Sequence, residues 1–66
     1  MENPLQILID ALELIGLPLD KIILVTAGID HPMAILDMAE WVADHPKATW
    51  SEIMKEKTRL IRKYML

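Results

Sequence analysis

The chain has 66 residues, no cysteine and a formal net charge of −3, and 53% of its residues are hydrophobic. A chain of this length forms one small domain, which buries only about 60% of the surface that it exposes when unfolded. The composition excludes a disulfide framework and thiol chemistry, and it supplies more apolar surface than so small a core can hide. We therefore expect part of this surface to lie at an interface with a second copy or with a partner protein.

Charge is distributed unevenly along the sequence. Residues 1–46 hold eight acidic side chains and one basic side chain, whereas residues 47–66 hold six basic and two acidic ones. We expect the basic end to pack against the acidic part of its own chain or of a neighbouring copy. The alternative is that the basic end forms a cationic face for an anionic partner.

The amino terminus lacks the basic start and the apolar run of a signal peptide. Charged residues also interrupt the apolar first half of the chain too often for a membrane span of about 20 residues. We expect a soluble protein, and the absence of cysteine suits the cytoplasm.

The first predicted helix covers residues 4–15. Asn3 is a favourable N-cap, Pro4 suits the first helical position, and Gln6 stands where a capping box places its second member. Gly16 predicts a helix end with a positive φ angle. The apolar residues that recur at helical spacing before it are Leu5, Leu8, Ile9, Leu12 and Ile15.

The second predicted element covers residues 18–27 and has two interpretations. Its β-branched run before Gly28 is also typical of a buried parallel strand followed by a glycine turn. No other segment is rich in β-formers, so a strand would have no partner in the chain, and its unpaired backbone groups would be costly to bury. We predict a helix that is apolar nearly all round and lies in the core or at an interface. Strand pairing across a dimer is the alternative.

The third predicted helix covers residues 31–44. We expect Asp30 to cap it, with His31 and Pro32 in its first turn, and His45-Pro46 to end it. Its wide apolar face comprises Ile35, Leu36, Met38, Ala39, Val42 and Ala43.

The fourth predicted helix covers residues 50–65, and Thr49 with Glu52 forms a capping box at its start. Its apolar stripe comprises Trp50, Ile53, Met54, Leu60, Ile61 and Tyr64. The short connections predict an all-α fold, a compact bundle of four short helices in a single domain. The residues expected in its core are Leu8, Leu12, Ile15, Ile22, Ile23, Val25, Ile35, Leu36, Ala39, Val42, Ile53, Leu60 and Ile61.

The tripeptide Asp-His-Pro occurs twice, at residues 30–32 and 44–46, and a repeated carboxylate-histidine pair raises the question of a metal site. The two histidines stand at opposite ends of one predicted helix, about 21 Å apart, which is too far for a shared ion. Helix capping and helix termination explain both copies, and an ion shared between subunits is the minor alternative. We predict no metal and no cofactor.

Catalysis has little support in the sequence. Two pairs of carboxylates, Asp10 with Glu13 and Asp37 with Glu40, share helix faces, but their neighbours predict solvated surfaces that shift no pKa. Ser51 has neither a glycine elbow nor a histidine placed to activate it. We therefore predict that the protein is not an enzyme.

The segment from Leu36 to Ile53, LDMAEWVADHPKATWSEI, resembles the opening of many winged-helix DNA-binding domains. In those domains a helix ends in a proline-containing turn, and a Thr-capped helix follows. The resemblance covers under a third of the chain and fails after Ile53, where no turn precedes a separate recognition helix and no strands follow to form a wing. We carry no function over from it, although it adds some weight to nucleic-acid binding.

The function that we expect is protein–protein interaction, as a small adaptor, inhibitor or accessory subunit that also self-associates. The alternative is a nucleic-acid-binding or regulatory protein that uses the basic last helix. The candidate interaction residues are Trp41, Trp50, Met54, Lys55, Arg59, Arg62, Lys63 and Tyr64. Because methionine adapts to irregular partners, further candidate anchors are Met33, Met38 and Met65.

Overall fold

The computed structural model describes residues 3–66, so the first two residues of the amino terminus compared above with a signal peptide lie outside the described residues. Four helices follow one another: α1 (Pro4–Leu14), α2 (Leu19–Thr26), α3 (Pro32–Asp44) and α4 (Trp50–Met65). The described residues contain no strand, so the all-α prediction is confirmed and the strand alternative for α2 is wrong. None of these helices has the length and apolar character needed to cross a membrane.

The start of α1 is capped by Asn3, as predicted. Its side-chain oxygen accepts a hydrogen bond from the backbone N–H of Leu5 at 2.8 Å. The capping box expected with Gln6 is wrong, because the Gln6 amide instead donates to the carboxylate of Asp10 one turn later, at 2.9 Å. From residue 3 onward, the side chain of Asn3 is therefore the one that caps this end of the helix.

The end of α1 is a Schellman motif. Gly16 has a φ of 86°, and its N–H donates to the carbonyl of Glu13 at 2.9 Å, while the N–H of Leu17 donates to that of Leu12 at 3.2 Å. This pair of bonds satisfies carbonyls that the helix leaves free, and the positive φ favours glycine. The glycine stop predicted from the sequence is confirmed.

The prediction that Asp30 caps α3 is wrong. The cap is His31, whose Nδ1 accepts the N–H of Met33 at 3.1 Å, and not Asp30. Pro32 occupies the first helical position and disfavours helical angles in the residue before it. His31 is therefore extended, with φ −83° and ψ 123°, and Asp30 lies one residue too early to cap the helix.

The second Asp-His-Pro copy stands at the other end of the same helix with the opposite hydrogen-bonding role. His45 is the C-cap of α3, and its Nδ1 donates to the carbonyl of Trp41 at 2.8 Å. Because a carbonyl only accepts, this Nδ1 carries a proton, whereas the Nδ1 of His31 carries none. The repeat thus supplies an acceptor at the start of α3 and a donor at its end.

His31→Ala is expected to lower the free energy of unfolding by about 1 kcal/mol, because it removes the acceptor at the α3 N-cap. His31→Asn restores an acceptor but not the ring that stacks on Tyr64, 5.1 Å away, so it should recover most of the loss. Urea unfolding followed by circular dichroism measures both variants. Equal stability of His31→Ala and the wild type would contradict this role.

The predicted capping box of α4 is present in full. The Thr49 hydroxyl accepts the N–H of Glu52 at 3.2 Å, and the Glu52 carboxylate accepts the N–H of Thr49 at 2.8 Å. The backbone hydrogen bond from Thr49 holds the pKa of Glu52 below its usual value of 4.5. The carboxylate therefore contributes stability that is present above pH 4.5 and is lost as the pH falls through the folded-state pKa.

Glu52→Gln is expected to flatten the acid dependence of stability below pH 4.5, because its amide oxygen still accepts the Thr49 N–H but does not titrate. Urea midpoints at pH 7 and pH 3 are compared for the variant and the wild type. The wild type should lose more stability between the two values. An identical loss in both proteins would show that this carboxylate does not contribute through the capping box.

The core forms where α1 packs on α3 and α3 packs on α4, and α2 closes one side against α1 and α4. Most of the predicted core residues are buried, and Ile15, Leu36 and Ile61 are half-buried. The prediction for Ile23 is wrong, because its side chain points outward. Met38 is fully buried, so the expectation of a surface anchor there is also wrong. The buried hydrophobic residues are Leu8, Leu12, Ile22, Val25, Ile29, Ala34, Ile35, Met38, Ala39, Val42, Ile53 and Leu60.

Candidate interaction surface

Half of the candidate interaction residues lie together along the outward side of α4. We call this surface the basic strip. Three exposed cations and one half-buried methionine line it, and two hydroxyl side chains that were not among the candidates complete it. Its residues are Ser51, Met54, Lys55, Thr58, Arg59 and Arg62.

The two tryptophans lie away from the basic strip and make contacts within the chain. Trp41 is half-buried and stacks on the ring of His45, with ring centroids 4.4 Å apart. Trp50 is half-buried at the start of α4, and the ammonium of Lys21 lies 4.4 Å from its ring centroid, a cation–π contact between α2 and α4. Both rings therefore serve the packing of the fold.

Tyr64 also makes contacts within the chain. Its ring stacks on His31, and its hydroxyl donates to the carboxylate of Asp37 at 2.5 Å. The ammonium of Lys63 lies 5.0 Å from the same ring. These contacts join the last turn of α4 to the first half of α3, and they leave neither side chain on the basic strip.

An acidic surface borders the basic strip. A shallow recess between α3 and α4 is lined by Asp37, Glu40, Trp41, Asp44, Glu56 and Arg59. Arg59 belongs to both surfaces and pairs with Glu56 at 2.6 Å, the one ion pair within residues 3–66. Its hydrogen bond to Glu56 raises the pKa of the guanidinium. The basic end of the chain therefore lies beside the acidic part. The ion pair between Arg59 and Glu56, however, lies within α4 and does not join the two parts.

α2 exposes an apolar surface that faces away from the rest of the molecule. Leu19 is 72% exposed, Ile23 56% and Leu24 53%, while Ile22 and Val25 are buried on the opposite side. Successive helical residues turn by about 100°, so the three exposed side chains and Ala27 lie on one side of the helix. We call these four residues the apolar face of α2. The only indication of this face in the sequence was that the helix is apolar on nearly all sides.

Lys57 fastens α2 to α4 at the C-terminal end of α2. Its ammonium donates to the backbone carbonyls of Leu24 at 2.8 Å and Ala27 at 2.5 Å. Partial burial lowers the pKa of Lys57. A cation is favoured at a helix C-terminus, where free carbonyls carry partial negative charge. Lys57 thus satisfies the end of α2 and holds the apolar face in place.

Lys57→Met is expected to lower the free energy of unfolding by about 1 kcal/mol, because it removes two hydrogen bonds to helix-end carbonyls but keeps the aliphatic stem. Lys55→Met is the matched control, since Lys55 is exposed on the same helix and should change stability little. Thermal unfolding of both variants measures the difference. Equal effects would show that the contact with α2 adds no stability.

Within residues 3–66, no three side chains of His, Cys, Asp or Glu come together in a way that could hold a metal ion. Comparison of the chain with protein families, with curated proteins and with solved structures gives no match.

Proposed function

We propose that the protein is a self-associating protein–protein interaction module whose copies meet through the apolar face of α2. The observation that supports this proposal is the exposure of Leu19, Ile23 and Leu24 on one side of a single helix. Grouped apolar side chains in contact with water mark interaction sites more often than scattered ones do. Covering them removes apolar surface from water, which is the main favourable term in association.

A second copy suits this surface because a two-fold interface places the same patch against itself. An apolar patch then meets an apolar patch without any other partner. A standard interface buries about 800 Å² per partner, which is under a fifth of the 4380 Å² surface of the molecule. Because α2 has only eight residues, we expect weak association, with a Kd in the micromolar range. We place this association in the cytoplasm, since the chain has no cysteine.

Solution mass tests the proposal directly. Light scattering over a hundredfold range of protein concentration, at low and at high salt, should show a monomer that becomes a dimer as the concentration rises. The transition should persist at high salt, because burial of apolar surface is not screened by ions as charge contacts are. A monomer at every concentration would contradict the proposal.

Nucleic-acid binding through the basic strip is the second candidate function. Lys55, Arg59 and Arg62 line one exposed side of α4 together with the hydroxyl of Ser51, and such groups contact phosphates. The hydroxyl of Thr58 on the same side already donates to the carbonyl of Met54 at 3.0 Å. The acidic recess beside the strip opposes this function by repelling a polyanion. Three phosphate contacts predict a slope of log K against log salt of about −2.7.

The double substitution Lys55→Glu with Arg62→Glu tests this second candidate in a fluorescence-anisotropy titration of labelled duplex DNA and single-stranded RNA. Lys47→Glu is the control, because Lys47 is exposed in the turn before α4 and lies outside the basic strip. Binding that the double substitution abolishes and the control retains supports the function. Binding that does not weaken with salt, or no binding by the wild type, contradicts it.

A further inference from the structure

Opposite charges flank the two ends of the apolar face of α2. Asp20 is exposed in the first turn of the helix. The ammonium of Lys57 lies at the other end, held by the carbonyls of Leu24 and Ala27. The face is therefore a short apolar surface with a negative charge near its start and a positive charge near its end.

Asp20 projects within this face, between Ala27 and Leu24, and Lys57 reaches its C-terminal end from the side of α4. At about 100° per residue, Asp20 is followed one turn later by Leu24 on the same side of the helix. α4 runs along that side, because Lys21 contacts the ring of Trp50 and Lys57 reaches the Leu24 carbonyl. A face with a negative charge near one end and a positive charge at the other is complementary to itself when it is turned end over end.

From this arrangement, and resting on the self-association proposed above, we infer that two copies pack their α2 helices antiparallel, with Asp20 of each copy facing Lys57 of the other. A parallel pair would place Asp20 beside Asp20, and like charges in contact are unfavourable. An antiparallel pair replaces this repulsion with two attractions, one between each Asp20 and the Lys57 of the other copy. It also opposes the two helix dipoles, whose ends carry partial charges of opposite sign.

The spacing of the apolar residues sets the register of this pair. Ile23 lies midway between Leu19 and Ala27, four residues from each, so the three form one row along the helix. A two-fold axis passing beside Ile23 places that residue against its own copy. It places Leu19 against Ala27 of the second copy, a large side chain against a small one.

Cysteine cross-linking tests both orientation and register, because the chain has no cysteine of its own. Ile23→Cys is expected to form a disulfide-linked dimer under mild oxidation. Leu19→Cys alone and Ala27→Cys alone should link no faster than the control Leu66→Cys, whose position is 91% exposed at the end of the chain. An equimolar mixture of Leu19→Cys and Ala27→Cys should form the mixed dimer.

The outcomes separate the inference from the proposal on which it rests. Leu19→Cys and Ala27→Cys that each link to themselves, but not to each other, show a parallel pair and overturn the inference while self-association stands. Dimer mass in solution without α2 linkage above the control places the contact elsewhere and overturns both. A monomeric mass overturns the self-association itself.

A charge substitution gives a second test whose sign differs between the two orientations. Asp20→Asn removes an attraction from an antiparallel pair, so the Kd should rise by roughly twofold to thirtyfold for two symmetric pairs. In a parallel pair the same substitution removes a repulsion and the Kd should fall. Sedimentation equilibrium measures the Kd at low salt, where the effect is largest. A fall or no change in the Kd overturns the inference.

Discussion

Leu12→Ala is expected to lower the free energy of unfolding by about 2–5 kcal/mol. Leu12 is fully buried between α1 and its neighbours, and shortening it leaves a cavity in addition to the lost burial. A domain of 66 residues has a total stability of about 3–10 kcal/mol, so the variant should be largely unfolded or close to it at 37 °C. Circular dichroism during urea titration measures the loss.

Leu14→Ala is the matched control for this substitution. Leu14 lies two residues later on the same helix and is 87% exposed, so its shortening should change stability by no more than about 0.5 kcal/mol. Similar losses in the two variants would contradict the described orientation of α1. A stable Leu12→Ala variant would contradict the described core.

Ile23→Glu is expected to raise the dimer Kd at least a hundredfold, about 3 kcal/mol, because two carboxylates would face each other at the centre of an apolar interface. The monomer should remain folded, since Ile23 is 56% exposed and its side chain points away from the core. Sedimentation equilibrium measures the association, and a thermal melt monitors the fold. The same change at the end of the chain, Leu66→Glu, is the control.

A variant that dimerises as the wild type does would show that the apolar face of α2 is not the contact between copies. Loss of association in Leu66→Glu to the same extent would show that added negative charge, and not its position, is responsible. An unfolded Ile23→Glu variant would contradict the outward orientation of this residue. Leu19→Glu then provides a second substitution on the same face, at a position that is 72% exposed.

Helix ends are the part of the fold that local chemistry determines, and most of them could be predicted. Asn3, Gly16 and the pair Thr49 with Glu52 act as the sequence indicates, because a cap depends only on residues within one turn of it. The exceptions are Gln6, which does not complete a capping box with Asn3, and His31, which displaces Asp30 as the cap of α3. Pro32 at the first helical position identifies the N-cap better than the general preference for aspartate at that position does.

The orientation of α2 could not be predicted from its sequence. Ile22, Ile23 and Val25 are equally apolar, yet the structure buries the first and third and exposes the second. A helix with no polar side gives no periodic signal to choose between its faces, and its contacts with α1 and α4 decide the orientation. Ile29, in the connection after α2, is buried for the same tertiary reason.

The candidate surface on α4 could be predicted only in part. Helical spacing was sufficient to group Lys55, Arg59 and Arg62, because residues three and four apart share a face. It could not show that Trp41 and Tyr64 are engaged within the chain, since their partners His45, His31 and Asp37 depend on packing and on helix ends. These contacts within the chain therefore could not be predicted from helical spacing alone.

A dilution series followed by amide chemical shifts tests the central claim most directly, because it reports on the wild-type chain residue by residue. Between millimolar and micromolar protein, the account predicts shift changes concentrated in residues 19–28 and at Lys57, with the amides of α3 unchanged. The midpoint should agree with the Kd from sedimentation. Changes concentrated on the basic strip, or spectra that do not depend on concentration, would contradict association through the apolar face of α2.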